Sequence, residues 1–379
     1  MKSRIKYYIK KICYSFFCLL PIKKNKIVCC NFHVKAYGDN PKYIVNELLN
    51  KDYDIVWICQ AKYNKTVPKE VRVVNGGIKL LYEYATARIW ISNVRLPRYL
   101  TKRKGTYYIQ TWHGGLGLKK CEKDVIHTLN HDYIKTIDKD SKAIDLAVSN
   151  SEFLNNVYRK AIDYHGPIIQ YGLPRNDNLV SHNKDYKYLK KELNINTDKV
   201  LLYAPTFRDN YRISAYNIDP DKIISTLEKA TNKTWSILVK FHPNVNNANE
   251  IIKFNDKVKN LTDYGDINEL FNICDSLITD YSSCMFDYML LNRNIYLYTP
   301  DLEEFMKERN FMIDIASLPF PLAKTHDELI KNISYYANKD LSIKYASFNK
   351  KYGLNETGNS AKEIALVIDK VIKGEEYEV

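Results

Sequence analysis

A chain of 379 residues, 45% hydrophobic and 27% charged, is too long for one core and has the composition of neither a disordered nor a membrane-embedded protein, so two domains are expected. Its formal net charge of +13 implies an anionic partner: a phospholipid surface, a phosphorylated substrate or nucleic acid. The eight cysteines form no CxxC pair and no zinc-like His/Cys spacing; they read as reduced thiols, which fits a cytoplasmic compartment better than a secreted one.

The first 26 residues carry Lys2, Arg4, Lys6, Lys10, Lys11, Lys23, Lys24 and Lys26 without an acid. The apolar run Ile12 to Leu20 is shorter than the roughly 20 residues a bilayer span needs, and no small-residue cleavage site precedes Pro21. Ile5, Ile9, Ile12, Phe16 and Leu19 recur at spacings of four and three beside a stripe of Lys2, Lys6 and Lys10. That pattern predicts a helix lying in an anionic lipid interface; the alternative is a helix packed on the protein's own core.

From residue 26 short β-branched runs alternate with helical stretches. Strands are expected at 26–32, 54–59, 87–92, 107–111, 144–148 and 168–171, with helices at 41–50, 78–86 and 151–164. A polar, Lys- and Asn-rich stretch at 176–198 interrupts the pattern and marks a junction. A second set follows, with strands at 199–204, 235–241, 276–279 and 295–298, and helices at 220–231, 267–274, 281–291, 325–337 and 360–372. The expected organisation is a basic surface segment 1–25, a Rossmann-like domain 26–176 and a second one 177–379, each an α/β domain with a parallel sheet.

In such sheets ligands bind beyond the carboxyl ends of the strands. Four segments stand there: Thr111-Trp112-His113-Gly114-Gly115-Leu116-Gly117, Ala204-Pro205-Thr206-Phe207-Arg208-Asp209, Lys240-Phe241-His242-Pro243 and Thr279-Asp280-Tyr281-Ser282-Ser283. In the last, hydroxyl residues open a helix whose free N–H groups attract phosphate, or simply cap it. His242, after Lys240 and before a stiffening proline, can donate to a phosphate oxygen, or serve structurally. Arg208, with Asp209 to orient it, offers a planar fork for phosphate, or a surface ion pair. His113 among glycines, Gly114 included, can accept the proton of an attacking hydroxyl. Arg175 and Arg309 are weaker candidates for the same cleft, and His127, His131 and His165 read as surface. Neither GxGxxG nor GxxxxGK[ST] occurs, and Asp275 and Asp280 make no recognisable metal cluster, so neither cofactor nor metal is expected.

Taken together, these segments resemble the CDP-glycerol glycerophosphotransferase family of teichoic acid and capsule synthesis. The resemblance also takes in Tyr37-Gly38-Asp39-Asn40-Pro41-Lys42, Asn150-Ser151-Glu152-Phe153, Gly172 to Asp177, Phe286-Asp287-Tyr288 and Asp301-Leu302-Glu303-Glu304. It implies a GT-B architecture of two Rossmann-like domains facing a cleft, a CDP-glycerol donor bound mainly by the C-terminal domain, a lipid-linked acceptor at the cytoplasmic membrane face, and release of CMP. By the same resemblance His113 is the candidate base and His242 a pyrophosphate contact, with Thr279, Ser282 and Ser283 around the phosphates and Arg208 nearby. The chain departs from the family pattern after His113, where Thr and Pro before Lys119 are missing, and around Arg309, where Asn310 and Met312 replace Gly and Tyr.

The reaction this implies is attack by an acceptor hydroxyl on the β-phosphorus, with charge neutralised by amides, hydroxyls, Arg208 and His242. Rival readings are transfer of ribitol phosphate from CDP-ribitol and a GT-B glycosyltransferase using a nucleotide sugar. A non-enzymatic rival is a basic binding protein for membrane or nucleic acid; the lack of basic residues interleaved with stacking aromatics argues against nucleic acid.

Overall fold

Strand and helix alternate along the chain, and all pairings within the two sheets are parallel. The computed structural model describes residues 2–378 except His33, 209–212, 243–244, 246–247 and 309–310. Asp209, Pro243, Arg309 and Asn310, named above, therefore lie outside the described residues.

The chain divides into two compact units. The first holds β1 (Lys23–Cys30), β2 (Asp54–Ile58), β3 (Arg72–Val74), β4 (Ala87–Ser92), β5 (Tyr107–Gln110), β6 (Leu146–Val148) and β7 (Ile168–Ile169), ordered β3-β2-β1-β4-β5-β6-β7. The second holds β8 (Lys199–Tyr203), β9 (Trp235–Val239), β10 (Val258–Asn260), β11 (Ser276–Thr279), β12 (Asn294–Tyr298) and β13 (Leu322–Ala323), ordered β10-β9-β8-β11-β12-β13. Both orders reverse once, between β1 and β4 and between β8 and β11, which is the doubly wound Rossmann pattern. Strands such as Ile55-Val56-Trp57-Ile58 and Leu277-Ile278 are buried on both faces, as sheets covered by helices require.

The division departs from a single cut at 176/177 in two places. Residues 354–379 belong with the first unit, not the second, and residues 116–120 belong with the second. The reason for the first departure is apolar burial. Helix Ser360–Lys373 puts Ile364, Ile368 and Val371 into the core formed by Ile27, Trp57, Ile89 and Ile109. Its amino end is capped by Asp177, whose carboxylate accepts from the Ser360 and Ala361 amides at 2.9 and 2.7 Å. In the second departure, Lys119 bridges to Phe311, and the Met312 amide donates to the Leu118 carbonyl at 2.6 Å.

The N-terminal helix Lys2–Phe17 lies on helix Gly77–Thr86 with Tyr14 buried, its hydroxyl donating to the Thr101 carbonyl at 2.8 Å. The stripe predicted from spacing faces away from the protein: Ile12 is 69% exposed, Phe16 67% and Leu19 81%. Among the described residues no helix is long and apolar enough to cross a membrane. Helix 281–291 of the sequence reading begins later, at Cys284, because Asp280 accepts from the Tyr281 amide at 2.5 Å and holds the intervening residues in a turn.

Candidate active site

In the first unit, the carboxyl ends of β1, β4 and β5 converge on His113. Its Nδ1 lies 2.7 Å from the Asn93 carbonyl. A carbonyl only accepts, so Nδ1 carries the proton and Nε2 keeps its lone pair. Burial pushes the imidazole pKa below its ordinary 6.5, against the opposing pull of the Asn93 carbonyl and Asp39. The ring is wedged between Phe32, edge-on at 5.4 Å, and Trp112 at 4.6 Å.

The backbone around this ring is held in a costly form. Phe32, Val34, Asp39 and Trp112 all have left-handed φ, at 39°, 72°, 55° and 50°. Such conformations cost about 1–3 kcal/mol each and persist only where neighbours impose them. At Trp112 the neighbours are identifiable: its amide donates to the Gln110 side chain at 2.9 Å, and its carbonyl accepts from Asn40 Nδ2 at 3.1 Å. Asn40 in turn accepts from the Arg175 amide at 3.2 Å. Of the following glycines, Gly115 is the one that space demands, since a Cβ there would lie 2.6 Å from Asn150 Nδ2. At Gly114 a Cβ would meet nothing within 4 Å.

Arg175, expected to reach toward substrate, is instead buried and paired with Asp39 at 3.4 Å. Its place in the fold is to brace the Asp39–Asn40 turn beside His113.

In the second unit the ends of β8 and β11 are stitched together by the residues predicted to touch phosphate. Thr279 is fully buried, its hydroxyl donating to the Ala204 carbonyl at 2.7 Å, and so is turned inward rather than toward a ligand. Asp280, also buried, accepts from the Thr206 amide at 2.8 Å. Among the described residues, Arg208 is oriented by carboxylates from distant segments. Its Nε meets Asp301 at 2.7 Å and one terminal nitrogen meets Asp280 at 2.8 Å, while the other donates to the Thr206 carbonyl at 2.5 Å. Tyr281 and Phe305 cover the guanidinium at 4.9 and 5.0 Å. Burial works to raise the Asp301 pKa, but the Arg208 bonds outweigh it and hold that carboxyl below its usual range. A buried fork shared by two carboxylates is a brace, not an open phosphate clamp.

Lys240 is likewise turned inward. Its ammonium donates to the Tyr264 and Thr262 carbonyls at 2.5 and 3.4 Å, and burial brings its pKa down to about 8. His242, Ser282 and Ser283 are half-exposed at this edge, as are Thr206, Phe207, Lys240 and Cys284. His242 lies 5.3 Å from the Phe207 ring, joining the loops after β8 and β9. Ser282 accepts from the Cys284 amide at 3.4 Å, and Ser283 makes no side-chain capping bond. Among the described residues no group of three or more His, Cys, Asp and Glu side chains is arranged to hold a metal.

Asn93 and Asn40, which hold His113 and its neighbour Trp112, are not among the site residues the sequence points to. Asn93 directly follows the predicted strand 87–92, so the rule that flagged the other strand-end residues would have found it. Asp301 was part of a recognised motif, but its pairing with Arg208 spans 93 residues.

Comparison with known proteins adds the following. The profile of the CDP-Glycerol:Poly(glycerophosphate) glycerophosphotransferase family matches residues 12–370. A teichoic acid poly(glycerol phosphate) polymerase of Bacillus spizizenii is 32% identical over 365 residues, covering 91% of this chain and 92% of that protein. A teichoic acid glycerol-phosphate transferase of Staphylococcus aureus is 32% identical over 391 residues, covering 98% and 100%. A structure of the wall teichoic acid polymerase TagF soaked with CDPG superposes with a TM-score of 0.83 at 28% identity, covering 98% of this chain and 97% of that one.

Proposed function

Because this chain belongs to the CDP-glycerol:poly(glycerophosphate) glycerophosphotransferase family, we propose that it moves glycerol phosphate from CDP-glycerol onto a lipid-linked teichoic-acid-type acceptor and releases CMP. The observation that carries this reading is the His113 ring, neutral and held with Nε2 as its basic nitrogen. In the proposed reaction an acceptor hydroxyl gives its proton to Nε2 while its oxygen attacks the β-phosphorus. The new O–P bond forms as the P–O bond to CMP breaks, and the imidazolium then returns its proton to solvent.

The second unit supplies the donor side. His242, Ser282 and Ser283, half-exposed polar side chains at this edge, are assigned to the phosphates, His242 donating to an oxygen of the departing CMP. Thr279, Asp280, Arg208 and Lys240 hold the loops that carry them. Gly114 leaves space beside the base.

The protein acts as a peripheral enzyme at the cytoplasmic membrane face. Support comes from helix Lys2–Phe17, whose apolar stripe is turned away from the protein beside basic residues. An outward stripe disfavours the alternative of core packing and suits an anionic lipid surface.

The test is CMP release by the full chain given CDP-glycerol, with and without a lipid-linked disaccharide, beside His113→Ala and His242→Ala. Acceptor-dependent CMP that drops at least 100-fold in His113→Ala is the expected result. Turnover with CDP-ribitol alone replaces the donor, and turnover undiminished in His113→Ala removes the base.

A further inference from the structure

We propose that the Asn31–Asn93 amide pair, set in the crevice between β1 and β4, is the positioning apparatus of His113, fixing its Nδ1-protonated tautomer and presenting Nε2 to the acceptor. The proposal rests on the reading of His113 as the base and adds the residues that make it one.

The crevice where a doubly wound sheet reverses its order is the usual place for a ligand. Here two buried side-chain amides fill it. Asn93 Nδ2 donates to Asn31 Oδ1 at 2.8 Å, and Asn93 Oδ1 accepts from the Phe32 amide at 2.9 Å. Asn31 Nδ2 donates onward to the Ala36 carbonyl at 2.9 Å. Asn93 is fully buried and Asn31 4% exposed. Turning the Asn93 amide over would set its NH2 against the Phe32 N–H and its oxygen against Asn31 Oδ1, so the bonding pattern assigns the orientation.

Two consequences reach the ring. The Asn93 side chain is pinned at both ends, which holds the same residue's carbonyl where it accepts from Nδ1. Its bond to the Phe32 amide also secures the left-handed Phe32 backbone, whose ring packs edge-on against His113. One planar group carrying both a donor and an acceptor is required; aspartate lacks the donor, and an apolar side chain lacks both. The charged groups acting on the ring are Asp39, Arg175 and Glu122, and the proposal leaves all three in place.

The experiment is 15N NMR of the imidazole nitrogens in the full chain, with the His113 signals assigned by their loss in His113→Gln. At a pH where the ring is neutral, the wild type is expected to give a protonated Nδ1 and an unprotonated Nε2. Asn93→Ala is expected to mix in the Nε2-protonated tautomer and to lower kcat roughly 10- to 100-fold, with KM for CDP-glycerol unchanged. Asn31→Ala, which leaves the Asn93 bond to Phe32 intact, gives a smaller change in the same direction and serves if Asn93→Ala does not fold. A wild-type ring protonated at Nε2, or a pure Nδ1 tautomer with unchanged kcat in both variants, overturns the proposal. Turnover that survives His113→Ala overturns the base reading separately, whatever the tautomer.

Discussion

A histidine acting as a base must be uncharged at working pH and offer one nitrogen, and both conditions at His113 come from its surroundings. Burial pushes its pKa below 6.5, so the ring is protonated only below that depressed value. CMP release is therefore expected to fall as pH drops through a midpoint under 6.5 and to be flat above it until other groups titrate, as a pH–kcat/KM profile checks. Arg208 illustrates the opposite outcome, a residue whose predicted ligand role yields to a structural one. Removing it leaves the buried carboxylates of Asp280 and Asp301 without the cation they share. Arg208→Ala is expected to cost about 3–5 kcal/mol. Arg208→Lys should recover only part of this, since one ammonium cannot span both carboxylates. Thermal unfolding measures the loss; a variant of wild-type stability that had lost only donor affinity would return Arg208 to the phosphates. Strand-end position singles out His113, His242 and the serines as candidates. It did not distinguish Thr279 and Lys240, which turn inward, because the direction of a side chain depends on carbonyls supplied by other strands.

At the scale of elements, periodicity located the N-terminal helix and its apolar stripe, and the fold decided which side that stripe faces. Tyr14 and Phe17 hold the helix on Tyr82 and Thr101, leaving Ile12 and Phe16 outward. Ile12→Glu and Phe16→Glu are expected to weaken binding to phosphatidylglycerol vesicles by tenfold or more each, given about 1.5–3 kcal/mol per large apolar side chain buried. Their melting temperatures should match the wild type, because neither residue contributes to the core; a matched loss of stability would mean the stripe packs on protein. Vesicle sedimentation and a melting curve decide. The strands absent from the sequence reading, β3, β10 and β13, have two or three residues and lie at sheet edges; β6 and β7 are equally short, but they sit inside the longer apolar runs 144–148 and 168–171 that sequence reading registers.

For the molecule as a whole, the tail is the informative part. Read locally, 354–379 continues the second unit, yet its helix completes the first core. Glu356 adds polar anchors, accepting from Asn150 and Asn176 side chains at 2.8 Å and from the Leu173 amide at 2.9 Å. A Cβ at Gly172 would fall 2.4 Å from its Oε2, so this close approach requires glycine, which also has φ 107°. Deleting 354–379 exposes Ile364, Ile368 and Val371, a loss of several kcal/mol from a stability typically of about 5–15. The expected outcome is a first unit that no longer unfolds cooperatively while the second keeps its transition, as calorimetry would resolve; two intact transitions would contradict it. The sequence by itself determined the alternation of strands and helices, the two parallel-sheet domains and the strand ends that carry polar groups, because hydrophobic period and turn residues are local properties. Only the tertiary structure decided which of those polar groups are braces and which stay open, and where the last helix packs. Those outcomes depend on hydrogen-bond partners and apolar surfaces brought together across tens to hundreds of residues, which no local pattern encodes.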